Sequence, residues 1–182
     1  MSAMLDVIRH GPLETPEVLR RLELIRRESD WAASVLTAEA GKRQPMDAGE
    51  VVEATWRMVA EEAPCPVRLV REPVPATLLD PVRLGRAVRN LLDNAVRAAG
   101  ADGAVEVRVR ARGAGVQIEV ADSGPGFGRI PQVHGLGLGT VRQVVAQLGG
   151  QLVIGEDRLG GARLTVHLPS VFETQMAVGE AI

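Results

Sequence analysis

The stretch Asp80 to Gly100, DPVRLGRAVRNLLDNAVRAAG, constrains the fold more than any other part of this chain. Asp80 has the side chain of a helix N-cap, and Pro81 suits the first helical position. Gly100 suits the position just past the end. Leu84, Val88, Leu91, Leu92 and Ala95 recur at helical spacing and predict one buried stripe. Asn90 and Asn94 are four residues apart, so they share another face, one turn above the other. Taken alone, the two amides are as compatible with solvated or capping groups as with a binding site.

Around this helix the chain alternates between two periods. Residues 17–38, EVLRRLELIRRESDWAASVLTA, predict an amphipathic helix with Leu19, Leu22, Ile25, Ala32 and Leu36 on one side. Ala3 to Arg9 can form only a turn or two before Gly11-Pro12 ends it. Residues 1–40 are therefore expected to form a short helical hairpin whose stripe needs a partner, and a homodimer is the expected one. Residues 38–45 are a polar linker, followed by a helix from Met46 to Ala63 with Val51, Val52, Thr55 and Val59 inward. Val67 to Arg71 is a strand. Val105, Val107 and Val109 alternate with Glu106, Arg108 and Arg110, and Val116, Ile118 and Val120 with outward Gln117 and Glu119. These predict a hairpin turning at 112–115. A helix over 136–148 and strands over 151–154 and 162–168 follow, then a loose tail over 170–182. The expected class is α+β, a two-layer sandwich of a mixed sheet covered by helices on one face, with the helical hairpin before it.

Composition narrows the classes of partner. The 182 residues carry a net charge of −2, so no bulk field draws the chain to nucleic acid or anionic lipid. Trp31, Trp56, Phe127 and Phe172 are the only aromatics, which leaves few platforms for base stacking. Cys65 is the only cysteine, so no intrachain disulfide forms and a reducing, cytoplasmic setting is expected. No run of about 18 apolar residues predicts a membrane span.

Two glycine-rich segments follow the Asp80 helix. In Asp122-Ser123-Gly124-Pro125-Gly126-Phe127-Gly128, at a strand end, Gly124 and Gly126 let backbone approach a ligand, and Asp122 can accept a hydrogen bond from an exocyclic amine. An ordinary turn has the same composition. Gly135-Leu136-Gly137-Leu138-Gly139 opens a helix, where free N–H groups and the positive dipole end suit phosphate. No Gly-Lys-Ser/Thr follows, so it is not a P-loop, and it follows a loop rather than a strand, which disfavours a dinucleotide fingerprint.

In order and spacing, NLLDNA, DSGPGFG and GLGLG resemble the N box and the two glycine boxes of the histidine-kinase-type ATP-binding domain. Its superfamily includes gyrase, the ninety-kilodalton heat-shock chaperone and the mismatch-repair ATPases. The resemblance covers about residues 46–169, and GGARLTVHLP is similar to the closing strand of that domain. It implies ATP and Mg²⁺ as cofactors, with Asn94 ligating the metal and Asn90 supporting it. It further implies Asp122 on the adenine amine and Arg97 on phosphate. Gly124 and Gly126 would line the nucleotide, Gly135, Leu136 and Gly137 the phosphates, and His134 the lid. A response regulator or another signalling protein is the implied partner.

The sequence departs from the family pattern at three places. Ala98 stands where the kinases often carry an aromatic that stacks on adenine, Val133 replaces a glycine, and the lid over Phe127 to His134 is short. Asn90 stands where ATP-hydrolysing members and serine-kinase anti-sigma factors have a glutamate base. An amide cannot take a proton, whereas a neutral imidazole acceptor needs no base. The resemblance therefore favours a histidine kinase over an anti-sigma-like binding module; a degenerate scaffold without nucleotide is the third possibility. His10 is the candidate phosphoacceptor, although Gly11-Pro12 follows it and no acidic residue adjoins it. His167 is expected to be structural.

Overall fold

The computed structural model describes residues 43–126 and 136–171, the side chains of residues 136 and 137 excepted. The helical hairpin expected over 1–40, with His10, lies outside the described residues. So do the lid over 127–134, with His134, and Gly135 and residues 172–182 of the tail. The described residues belong to one compact unit, Gly41–Ile182.

The elements are β1 (Gln44–Met46), α1 (Ala48–Glu62), β2 (Val67–Arg71), β3 (Thr77–Leu79), α2 (Pro81–Ala99), β4 (Val105–Arg112), β5 (Gly115–Asp122), α3 (Leu136–Gln147), β6 (Gln151–Glu156) and β7 (Ala162–Leu168). Five strands form a mixed sheet in the order β2-β4-β5-β7-β6. β2 and β4 are parallel, and every other pair is antiparallel. β1 and β3 make a separate antiparallel ribbon, pairing Gln44 with Leu79. Among the described residues no helix is long and apolar enough to cross a membrane.

α2 is the central helix. The Asp80 carboxylate accepts from the N–H groups of Val82 at 3.0 Å and Arg83 at 3.3 Å. At the other end Gly100 donates to Val96 O, and its φ is 66°. Leu84, Val88, Leu91, Leu92 and Ala95 are all buried, at 1% exposure or less. They pack on Val105, Val107 and Val109 of β4 and Val116, Ile118 and Val120 of β5 in one core. Burying a Leu or Val side chain contributes about 1.5–3 kcal/mol, so this stripe anchors the helix layer to the sheet. α1 starts at the cap Asp47, whose carboxylate accepts from Gly49 N–H at 2.6 Å. The Arg71 guanidinium forks to Asp47 at 2.6 Å and Glu53 at 2.5 Å, tying β2 to the start of α1.

Three expectations are corrected. The linker expected over 38–45 ends before Gln44, because residues 44–46 pair with 77–79. Met46 belongs to that ribbon, so the helix begins two residues later than expected. Gln117 and Glu119 point away from the helices yet are only 6% and 8% exposed. β5 is the middle strand, and long side chains of its neighbours lie over its outer face; Arg110 reaches Glu119 at 3.4 Å. The expected tail is still tied down where it begins: Ser170 is buried and Val171 N–H donates to Ala76 O.

Candidate functional site

Asn90 and Asn94 sit half-buried on α2, off the core stripe, and neither side chain is hydrogen-bonded to another described residue. Ala98 continues the same face one turn beyond Asn94. Gly124 is pressed against it: a Cβ added there would lie 2.5 Å from Ala98 O. The turn after β5 therefore closes directly onto the end of the asparagine face. Gly103 makes the neighbouring contact, since a Cβ on it would lie 2.4 Å from Ala99 O and 2.7 Å from Ser123 Oγ. Ser123 Oγ also accepts from Ala104 N–H at 2.8 Å.

Asp122 ends β5 at 2% exposure. Both hydrogen bonds recorded for its carboxylate end on Oδ1, from Gly124 N–H at 2.8 Å and Ala162 N–H at 3.3 Å. Burial raises the carboxyl above its ordinary value, and the Gly124 and Ala162 N–H groups oppose that rise. Gly161 is part of this arrangement, because a Cβ on it would lie 2.2 Å from Asp122 Oδ1 and 2.3 Å from Asp122 O. Gly126, at φ 93°, meets nothing within 4 Å; its backbone conformation, not crowding, calls for glycine.

The start of α3 is brought to the same region by the packing of α2 on α3. Arg83, in the first turn of α2, donates to Gln147 at the end of α3 at 2.6 Å. The helices consequently run antiparallel, and the asparagine half of α2 lies beside the beginning of α3. Leu136 and Gly137 fall in the first turn of α3, whose leading N–H groups have no partner within the helix. Arg97 is exposed in the last turn of α2.

Each group suits one part of a nucleotide. Amide oxygens are hard donors acceptable to Mg²⁺, a helix start favours phosphate, and a buried carboxylate accepts from an amine. The described residues hold no cluster of three His, Cys, Asp or Glu able to bind a metal. A cation here would therefore take most of its ligands from phosphate and water, as Mg²⁺ does beside nucleotides. His167 stands apart on β7, contacting Arg112; burial and the Arg112 charge lower its pKa. The contacts of Gly161, the Ala162 N–H and Ser123 were not foreseen in the sequence. Ser123 lay within DSGPGFG, and Gly161 and Ala162 within GGARLTVHLP, which resembled only a closing strand, so neither run pointed to these contacts.

Comparison with known proteins gives concordant results. A family model described as "Histidine kinase-, DNA gyrase B-, and HSP90-like ATPase" matches residues 79–171. Sensor histidine kinase ZraS of Escherichia coli O157:H7 is 32% identical over 143 residues, 69% of this chain and 31% of that protein. Sensor protein kinase CarS of Pseudomonas aeruginosa is 33% identical over 190 residues, 86% of this chain and 41% of that protein. The solved structure of the mycobacterial sensor histidine kinase MprB superposes with a TM-score of 0.60 at 28% identity, covering 69% of this chain and 97% of that one. The chain spans about a third of the length of ZraS and two fifths of CarS.

Proposed function

Because the chain belongs to the histidine kinase-, DNA gyrase B- and HSP90-like ATPase family, we propose that residues 46–169 bind ATP with Mg²⁺ and supply the ATP-binding part of a histidine-kinase-type signalling protein. The observation that carries this reading is the contact of Gly124 with Ala98, which sets the Asp122 turn against the face bearing Asn90 and Asn94. Similarity to sensor kinases supports it over the anti-sigma-like and scaffold readings.

In this reading Asp122 accepts from the adenine amine and rejects guanine, which offers a carbonyl there. The N–H groups opening α3, with Gly135 and Gly137, take phosphate oxygens, and Arg97 and His134 contribute further contacts to them. Asn94, supported by Asn90, holds Mg²⁺, which supplies charge neutralisation at the phosphates. The γ-phosphoryl group passes to a neutral imidazole nitrogen and ADP leaves. His10 of this chain or a histidine on a partner is the acceptor, and a response regulator or another signalling protein receives the group next. Asn90 fits this chemistry because no base is needed. The domain works in the cytoplasm, where its ATP is, and the segment over 1–40 pairs two copies.

Incubation with γ-labelled ATP tests the proposal. Acid-labile, base-stable label on the chain or on an added receiver protein is the expected result. Label on a partner serine would support the anti-sigma type instead, and failure to bind ATP would contradict the reading altogether.

A further inference from the structure

The two helices that carry the nucleotide-facing groups are joined at the ends away from those groups, and the joint includes the chain entering the domain. Gln147, the last residue of α3, is its centre. Its side-chain Oε1 accepts from Arg83 Nη1 at 2.6 Å, and its main-chain O accepts from the Arg43 guanidinium. Arg83 also places Nε 3.3 Å from Asp80 Oδ2, the buried second oxygen of the carboxylate that caps α2. Arg43 immediately precedes β1, and β1 pairs with β3, whose Leu79 leads into Asp80. The entering strand, the start of α2 and the end of α3 are thus held at one residue.

Each helix runs unbroken from that joint to its other end. Asn94 lies eleven positions beyond Arg83, about 16 Å along α2, and Gly137 in the first turn of α3 lies about 15 Å from Gln147 by the same rise. A small tilt at the joint changes how the α3 N-terminus faces the asparagine amides. It leaves Asp122 alone, because that carboxylate is fixed by Gly124, Ala162 and Gly161. We propose that Arg43, Arg83 and Gln147 are positioning residues that set the grip on the phosphate end of the nucleotide and make it depend on the entering strand. This rests on the ATP reading above.

Binding of ATP·Mg and of adenosine to the full chain, measured by calorimetry, tests it in wild type, Gln147→Ala, Gln147→Glu and the double variant Arg43→Ala/Gln147→Ala. Gln147 is exposed, so its truncation leaves no cavity, and the melting temperature checks folding. Gln147→Ala should weaken ATP measurably, by at most about tenfold, the full worth of one hydrogen bond, with adenosine unchanged. Adding Arg43→Ala should deepen the loss, and Gln147→Glu, which still accepts from Arg83, should retain wild-type affinity. Unchanged ATP affinity in the double variant would overturn the proposal, as would equal weakening of ATP and adenosine. Wild type that binds neither compound would overturn the ATP reading itself, and this inference with it; wild type that binds both, with variants alike, would overturn the inference alone.

Discussion

Gly124 rests on the main-chain oxygen of Ala98 so closely that a Cβ on it would lie 2.5 Å away. Two motifs separated in sequence become one surface at that contact. Because the obstacle is backbone, it cannot swing aside. Gly124→Ala should destabilise the domain by about 1–3 kcal/mol, the usual cost of overpacking, and weaken ATP binding with it. Gly139→Ala is the control: a Cβ there meets nothing within 4 Å. Without nucleotide it should stabilise α3 by about 0.5–1 kcal/mol, because alanine suits a helix better than glycine. Urea unfolding of both variants checks the pair, and equal effects would contradict the close-approach account.

Asp122 should show a conflict between stability and binding. Burial raises its carboxyl above the ordinary value, so the folded chain keeps a proton that the unfolded chain has already released. Stability contributed by that proton is present at low pH and is lost as pH rises through the raised value. Asp122→Asn removes this loss, so its stability at pH 7 should equal or exceed that of wild type. Its ATP affinity should nevertheless fall roughly ten- to a hundredfold, the worth of one charged hydrogen bond, and ATP should lose its advantage over GTP. Denaturation across pH, paired with ATP and GTP titrations, checks both halves. A variant that is less stable at pH 7 yet still selects ATP would contradict them.

Gly161→Ala should mimic part of that loss without touching the carboxylate chemistry. A Cβ 2.2 Å from Asp122 Oδ1 must push the side chain or the β6–β7 hairpin aside. The expected result is reduced discrimination between ATP and GTP together with a lower melting temperature. Unaltered selectivity would show that the hairpin does not orient Asp122.

The proposed pairing of two copies is tested through Leu22 and Ile25. Glutamate at both positions should give a folded monomer that still binds ATP, seen as a halved mass in sedimentation. A wild type that is already monomeric at micromolar concentration would contradict the dimer. So would a variant whose melting temperature falls without a change in mass.

Much of this was legible because the decisive signals are local. The caps of α2, its stripe from Leu84 to Ala95 and the alternation of β4 are read within one or two turns or a few residues. The ribbon of β1 and β3 was not legible, since three-residue strands are too short to show a period. The burial of Gln117 and Glu119 depends on their place in the middle strand, which a polar alternation cannot reveal. The bond from Ala162 N–H to Asp122 spans 40 positions, and GGARLTVHLP, the run that holds it, reads only as a closing strand with nothing to direct it to Asp122.

The central claim is that the Asn90–Asn94 face and the Asp122 turn form one ATP·Mg site. Calorimetric titration of ATP into wild type and Asn94→Ala, each with Mg²⁺ and with chelator, tests it most directly. Asn94 is half-buried and bonded to no other described residue, so the variant should fold as wild type does. Wild type should bind ATP more tightly with Mg²⁺ than without, and Asn94→Ala should lose that metal-dependent gain while keeping weak, metal-independent binding through Asp122. Equal ATP·Mg affinity in the two proteins would contradict the account.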